Sequence, residues 1–107
     1  MDIVQEIMWM KCGIIWRKVI LTVDLITNHL NIKTKCKCFQ NEYNIDLKSC
    51  IVFGKVHKYG LHQSKYFGIC YNSNNNPKYY VFKAKDIETA NTWIKLLKPK
   101  SFTQRYK

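Results

Sequence analysis

Apolar and polar residues alternate along most of this chain with a period of two, and only near its C-terminal end does the period become that of a helix. Seven β-like runs bounded by turn signals come first, at residues 7–12, 16–23, 29–34, 43–47, 51–56, 66–71 and 78–84. Gly13 marks a tight first hairpin, Thr27-Asn28 a polar turn, and the run from Asn72 to Pro77 a longer polar turn expected to be mobile. The last run, Tyr79-Tyr80-Val81-Phe82, suits a pleated strand, and it leads directly into a helix. There, Ala90, Trp93, Ile94 and Leu97 recur at i, i+3, i+4 and i+7 as one apolar stripe. Asp86 is a natural N-cap, Asp86 and Glu88 sit at the positive end of the helix dipole, Lys95 and Lys98 at the negative end, and Pro99 stops it.

The 107 residues are expected to form one domain, with a core over about residues 7–98 and a basic tail over 99–107. No internal repeat or interdomain linker divides it. The five cysteines (Cys12, Cys36, Cys38, Cys50, Cys70) are odd in number and contain no C-x-x-C pair, which predicts free thiols in a reducing compartment. Cys36 and Cys38 could reach toward His57 or His62, but alternate residues on a strand point to opposite faces, so no metal and no cofactor is expected. No G-x-S-x-G, phosphate-binding loop or paired carboxylate is present, and the three histidines are isolated from any nucleophile, so the chain is not read as an enzyme. Asp2 and Glu6 stand where a signal peptide would be basic, Lys11 and Arg17 interrupt the apolar run, and no stretch is long enough to span a bilayer. A myristoylation signal needs Gly at position 2, where this chain has Asp2. A cytoplasmic protein, peripheral on the cytosolic face of a membrane, is expected.

Charge supplies the functional clue. Eighteen Lys and Arg against seven Asp and Glu give +11, and from Lys48 to Lys85 inclusive there are seven lysines and no acid. Coding bias toward Lys and Asn would not by itself deplete acids, so anionic partners are indicated: a membrane surface first, nucleic acid second.

Seven strands followed by one helix with a mid-helix Trp resemble the pleckstrin-homology (PH) domain over nearly the whole chain. The family's fourth-strand pattern I-x-L-x-x-C is met by Ile45-Asp46-Leu47-Lys48-Ser49-Cys50, and its basic-then-apolar second strand by Arg17-Lys18-Val19-Ile20-Leu21. Leu30 matches a third-strand leucine, and Trp93-Ile94-Lys95-Leu96-Leu97 matches the closing helix. The resemblance implies two nearly orthogonal antiparallel sheets in a partly open barrel, with Trp93 plugging the end that the helix closes.

It also implies a site. In the family, anionic headgroups sit at the end ringed by the loops between strands one and two, three and four, and six and seven. A basic residue late in strand one and a K-x-R or R-x-R pair opening strand two hold them. Lys11 matches the first and Arg17 the last residue of the pair, with Lys18 beside it. The other basic position of the pair is Ile15, and the third-strand tyrosine is Ile32, so a simple anion clamp is implied rather than a cage for an inositol ring. Lys33, Lys35 and Lys37 would extend the basic rim. Alternation requires part of Ile14-Ile15-Trp16 to face the barrel, while residues projecting from the hairpin tip could enter the interfacial layer, which Trp favours. Phosphatidic acid or mixed anionic membrane is then the expected ligand. Size, composition and the weakened motif resemble the acylated PH proteins of apicomplexan parasites, which sense phosphatidic acid on secretory organelles. A phosphoinositide ligand or a protein partner on the same fold stays open as an alternative. Nucleic acid, stacking on Tyr59, Tyr66, Tyr71, Tyr79 and Tyr80 among the lysines, lacks any supporting motif and is not expected. A monomer is expected.

Overall fold

The computed structural model describes residues 2–35, 41–53, 65–73 and 76–98. Two antiparallel meanders make up the β-structure. The first runs through β1 (Ile3–Cys12), β2 (Ile15–Asp24), β3 (His29–Thr34) and β4 (Glu42–Asp46); the second through β5 (Cys50–Phe53), β6 (Tyr66–Ser73) and β7 (Asn76–Lys83). One helix, α1 (Ile87–Leu97), follows. The meanders correspond to the two expected sheets, but they are joined: Trp9 pairs with Lys83 and Met10 with Phe82, giving one ladder in the order β4-β3-β2-β1-β7-β6-β5. This is a PH-like fold, mainly β with one C-terminal helix.

Strand boundaries differ from expectation where the two-residue alternation is broken. β1 begins at Ile3 rather than at residue 7, because Val4, Met8 and Met10 face inward with Glu6 interrupting their apolar series, and Glu6 lies 4.0 Å from Lys85 across the sheet junction. Leu47 does not end β4; Leu47–Ser49 form a single 3-10 turn, capped by Asp46, whose Oδ1 accepts from the Lys48 N–H at 3.1 Å. That turn keeps Leu47 buried while the chain passes from one meander to the other. β5 begins one residue early, and the expected strand beyond Phe53 lies outside the described residues. The run from Asn72 to Pro77 is not one long turn: Asn72 pairs with Pro77 and Ser73 with Asn76, which lengthens the β6–β7 hairpin. Pro77 lies beyond the pairing with β1, so its missing N–H leaves no gap in that ladder.

Inside, Met8, Val19, Leu21, Leu30, Ile32, Ile45, Phe67 and Phe82 form the barrel core, with the Phe67 and Phe82 rings 5.4 Å apart. Helix α1 packs on β5 and β6 and buries Ala90, Trp93 and Leu97; Trp93 is 1% exposed, as a plug should be, and Ile94 lies at the half-buried margin of the stripe. Asp86 caps the helix, its Oδ1 accepting from the Thr89 N–H at 2.7 Å.

Candidate functional site

The β1–β2 hairpin is built on Gly13. Cys12 pairs with Ile15, leaving a two-residue turn of Gly13 and Ile14. Gly13 has φ +67°, the left-handed conformation that the first central position of a type II′ turn demands and that glycine adopts without steric cost. The turn lifts Ile14 clear of the protein, 95% exposed, with Ile15 half as exposed behind it.

Strand parity then sorts the expected site residues. Arg17 pairs with Met10 and shares the inward parity of Val19 and Leu21; Lys18 pairs with Trp9, and Lys11 with Trp16, on the outward face. Beside the hairpin the Lys35 N–H donates to the Lys18 carbonyl at 3.0 Å, tying the end of β3 to β2. A shallow, open groove of about 410 Å³ results, lined by Ile15, Trp16, Arg17, Lys18 and Lys35. Three cations and two apolar side chains line it, and no carboxylate does. Lys33 is exposed but stands opposite Ile20 and Glu42, outside the groove. Lys37 lies outside the described residues, as do Cys36, Cys38, His57 and His62.

Trp16 does not stand out from the tip. Its ring is half-buried, with its centroid 5.6 Å from that of Tyr66, and two ammonium groups lie on it: Lys11 Nζ at 5.6 Å and Lys83 Nζ at 5.5 Å from the ring centroid. Next to this cluster Lys18 Nζ sits 5.3 Å from the Trp9 ring. Lys83, Tyr66 and Trp9 are therefore part of the site's surroundings, and local patterning did not single them out. Lys83 and Tyr66 reach the hairpin only through the β1–β7 and β6–β7 pairings, which join residues more than fifty positions apart in sequence for Trp16 and Lys83, whereas Trp9 lies on β1 itself, opposite Lys18.

Elsewhere the chemistry is quiet. Burial, with the Asp46 charge adding to it, pushes the Cys50 thiol up to about 12, and its Sγ–H donates to the Leu47 carbonyl at 3.3 Å. The described cysteines Cys12, Cys50 and Cys70 are free thiols. The described tyrosines divide between the faces: Tyr66 and Tyr79 lie outward, while Tyr71 and Tyr80 share the inward parity of Ile69, so they do not make one stacking surface. Among the described residues, no helix is long and apolar enough to cross a membrane.

No family model and no curated protein matches the chain. Solved structures do. The chain is similar to the DH/PH domains of PDZ-RhoGEF, solved in complex with activated RhoA (TM-score 0.72, 14% identity, 91% of this chain and 28% of that one). It is similar to the Slm1 PH domain solved with inositol-4-phosphate (TM-score 0.69, 16% identity, 92% of this chain and 94% of that one). A third is Inner Membrane Complex Sub-compartment Protein 3 from Toxoplasma gondii (TM-score 0.68, 18% identity, 90% of this chain and 73% of that one). The chain spans under a third of the RhoGEF chains it matches. At these identities the likeness establishes the PH fold.

Proposed function

We propose that this domain docks on membranes by holding the phosphomonoester headgroup of an anionic phospholipid, phosphatidic acid above all, at its first hairpin. The observation that carries the reading is the groove of Arg17, Lys18 and Lys35, free of any lining carboxylate, directly behind a fully projecting Ile14. An arginine fork and two ammonium groups suit a compact dianion, and Ile14 and Ile15 stand where acyl chains would begin. Each cation near an anionic surface contributes on the order of 1 kcal/mol.

Two positions argue for a simple headgroup over an inositol ring. Ile15 stands where a second basic residue would grip another phosphate, and Ile32, fully buried, offers no donor. The Slm1 PH domain, solved with inositol-4-phosphate and with phosphoserine, shows that small phosphorylated ligands are compatible with this fold. The likeness to a Toxoplasma gondii protein of a membrane compartment supports a lipid-sensing role of the kind the acylated PH proteins have.

Sedimentation with phosphatidylcholine vesicles carrying phosphatidic acid, phosphatidylserine or a phosphoinositide at matched charge tests this. Binding should be strongest to phosphatidic acid, and Lys18→Glu with Lys35→Glu, both exposed and both lining the groove, should abolish it without unfolding the protein, since exposed charges add little stability. Reversing Lys65 and Lys78 should weaken binding only slightly. Equal effects from the two pairs would mean a diffuse basic surface and no site. Tight, salt-steep binding to oligonucleotides with no preference among vesicles would mean a nucleic-acid protein.

A further inference from the structure

The first half of β1 is open along one side. We infer that this open edge, from Ile3 to Ile7, is a second docking surface that takes up an extended apolar segment of a partner protein as an added strand, with acidic residues at the end lying by Lys83 and Lys85.

Backbone parity establishes the edge. The Leu25 N–H donates to the Asp2 carbonyl at 2.7 Å, and β1 and β2 then keep an unbroken register up to the closing pair Cys12–Ile15. Hydrogen-bonded and non-hydrogen-bonded pairs alternate in such a ladder, so Val4, Glu6 and Met8 turn their backbone groups to β2, whereas Ile3, Gln5 and Ile7 turn theirs the other way. On that side the pairing with β7 ends at Trp9–Lys83, and the chain then leaves: the Ala84 N–H donates to the Lys65 carbonyl, toward β6, and α1 begins at Ile87. Among the described residues, none pairs with Ile3, Gln5 or Ile7 on that side. Their N–H and C=O groups form a template for another strand. Such edges are ordinarily blocked by lysine, proline or a bulge. Ile3–Met8 has none of these, and its one charge, Glu6, lies 4.0 Å from Lys85. Ile3 and Ile7 are instead 56% and 46% exposed, beside the place where the side chains of an added strand would pack. Charge sets the direction: Lys83 and Lys85 flank the Ile7 end, Asp2 and Asp24 the Ile3 end. A strand antiparallel to β1, in line with β7, enters with its N-terminal residues beside the lysines, so its acids belong there. A second copy of this chain fits less well, because it brings its own +11. Gln5 lies about 25 Å along β1 from the hairpin tip, so the edge is separate from the groove described above.

Amide hydrogen exchange tests the edge, and a peptide selection tests its occupant. In the free protein the Gln5 and Ile7 amides should exchange at least about tenfold faster than those of Glu6 and Met8. A phage library of random short peptides, selected on the immobilised protein, should yield sequences that alternate β-branched or aromatic residues with polar ones and carry Asp or Glu in the N-terminal half. A synthetic copy of a selected peptide should slow exchange at Gln5 and Ile7. Gln5→Pro removes an edge N–H that β2 does not use, so the variant should stay folded and bind that peptide about tenfold more weakly. If Gln5→Pro unfolds, Ile7→Lys, which sets a cation on the edge, takes its place in the binding measurement. Slow exchange at both amides in the dilute free protein would mean that the chain covers its own edge. Slowing that appears only as the protein is concentrated, together with a dimer in sedimentation, would mean a second copy. Slowing by phosphatidic acid vesicles and by no peptide would give the edge to the bilayer. Each of these outcomes overturns the proposal, as does a selection that enriches no sequence, or a selected peptide that binds the edge variant as tightly as wild type.

Discussion

At the residue scale, two positions at the helix were legible because their signals are local. Asp86 reads as an N-cap from its place before an apolar stripe, and it caps, accepting from the Thr89 N–H. That backbone hydrogen bond, with the Thr89 side chain adding to it, holds the Asp86 carboxyl below the usual carboxylate range. A carboxyl depressed on folding stabilises the protein above its unfolded value of about 3.9, and that contribution disappears as the pH falls through the lower folded value. The Asp86→Asn variant keeps a capping side chain without the charge, so its Tm should lie below wild type at pH 7, and the two should converge by about pH 2. A constant difference across that range would remove the charge from the account. Trp93 tests the fold itself. A buried aromatic cut to Ala costs ~3–5 kcal/mol against a reserve of ~5–15, so Trp93→Ala should unfold or nearly unfold the domain. A melting temperature within a few degrees of wild type would mean the helix does not close the barrel. Trp16 was less legible: alternation told that part of Ile14-Ile15-Trp16 must turn back, but not that Tyr66 and Lys83, distant in sequence, would receive it.

At the element scale, the order of seven strands and a helix could be read from periodicity and turn residues, whereas strand ends could not where polar residues sit inside a ladder. Glu6 in β1 and the Asn-rich run between β6 and β7 look like loop by composition and are strand by pairing, because a ladder is extended by its backbone partners whatever its side chains prefer. Leu47 looks like strand and is a 3-10 turn, because burying it and turning the chain are achieved together. Among the turns, Gly13 announced its element outright. Nothing lies within 4 Å of where a Cβ would stand, so Gly13→Ala meets only the backbone cost of a positive φ. That cost is about 1 kcal/mol, or a fall of about 4–8 °C in Tm for a domain of this size. Thermal unfolding should show it, with vesicle binding reduced less than by reversing Lys18 and Lys35. An unchanged Tm would mean the turn relaxes to another type, and Ile14 would lose its fixed projection.

At the scale of the whole molecule, charge is distributed along the barrel. Asp2, Asp24 and Asp46 gather where β2 turns into β3, fixed by the Leu25 N–H donating to the Asp2 carbonyl and by the Asp24–Ile3 and Asp46–His29 pairs. Lys11, Arg17, Lys18 and Lys35 lie toward the hairpin, about 20–30 Å away along the strands. An anionic surface therefore attracts the hairpin more strongly than the aspartate end, which turns Ile14 toward such a surface before any specific contact forms. Attraction and insertion separate by salt. Raising ionic strength from 0.1 to 1 M shortens the screening length from about 10 to about 3 Å and should remove the long-range part. On the proposed docking, what should survive is direct phosphate contact in the groove and the burial of Ile14, whose side chain is worth up to about 1.5–3 kcal/mol when fully taken out of water. Ile14→Ser should therefore weaken vesicle binding by roughly tenfold, the low end of that range, at 0.1 M and at 1 M salt alike. Because Ser carries no charge, orientation by the charge gradient is left intact, so a loss that is seen at 0.1 M salt and vanishes at 1 M would show that Ile14 serves the hairpin's cationic site and not the bilayer.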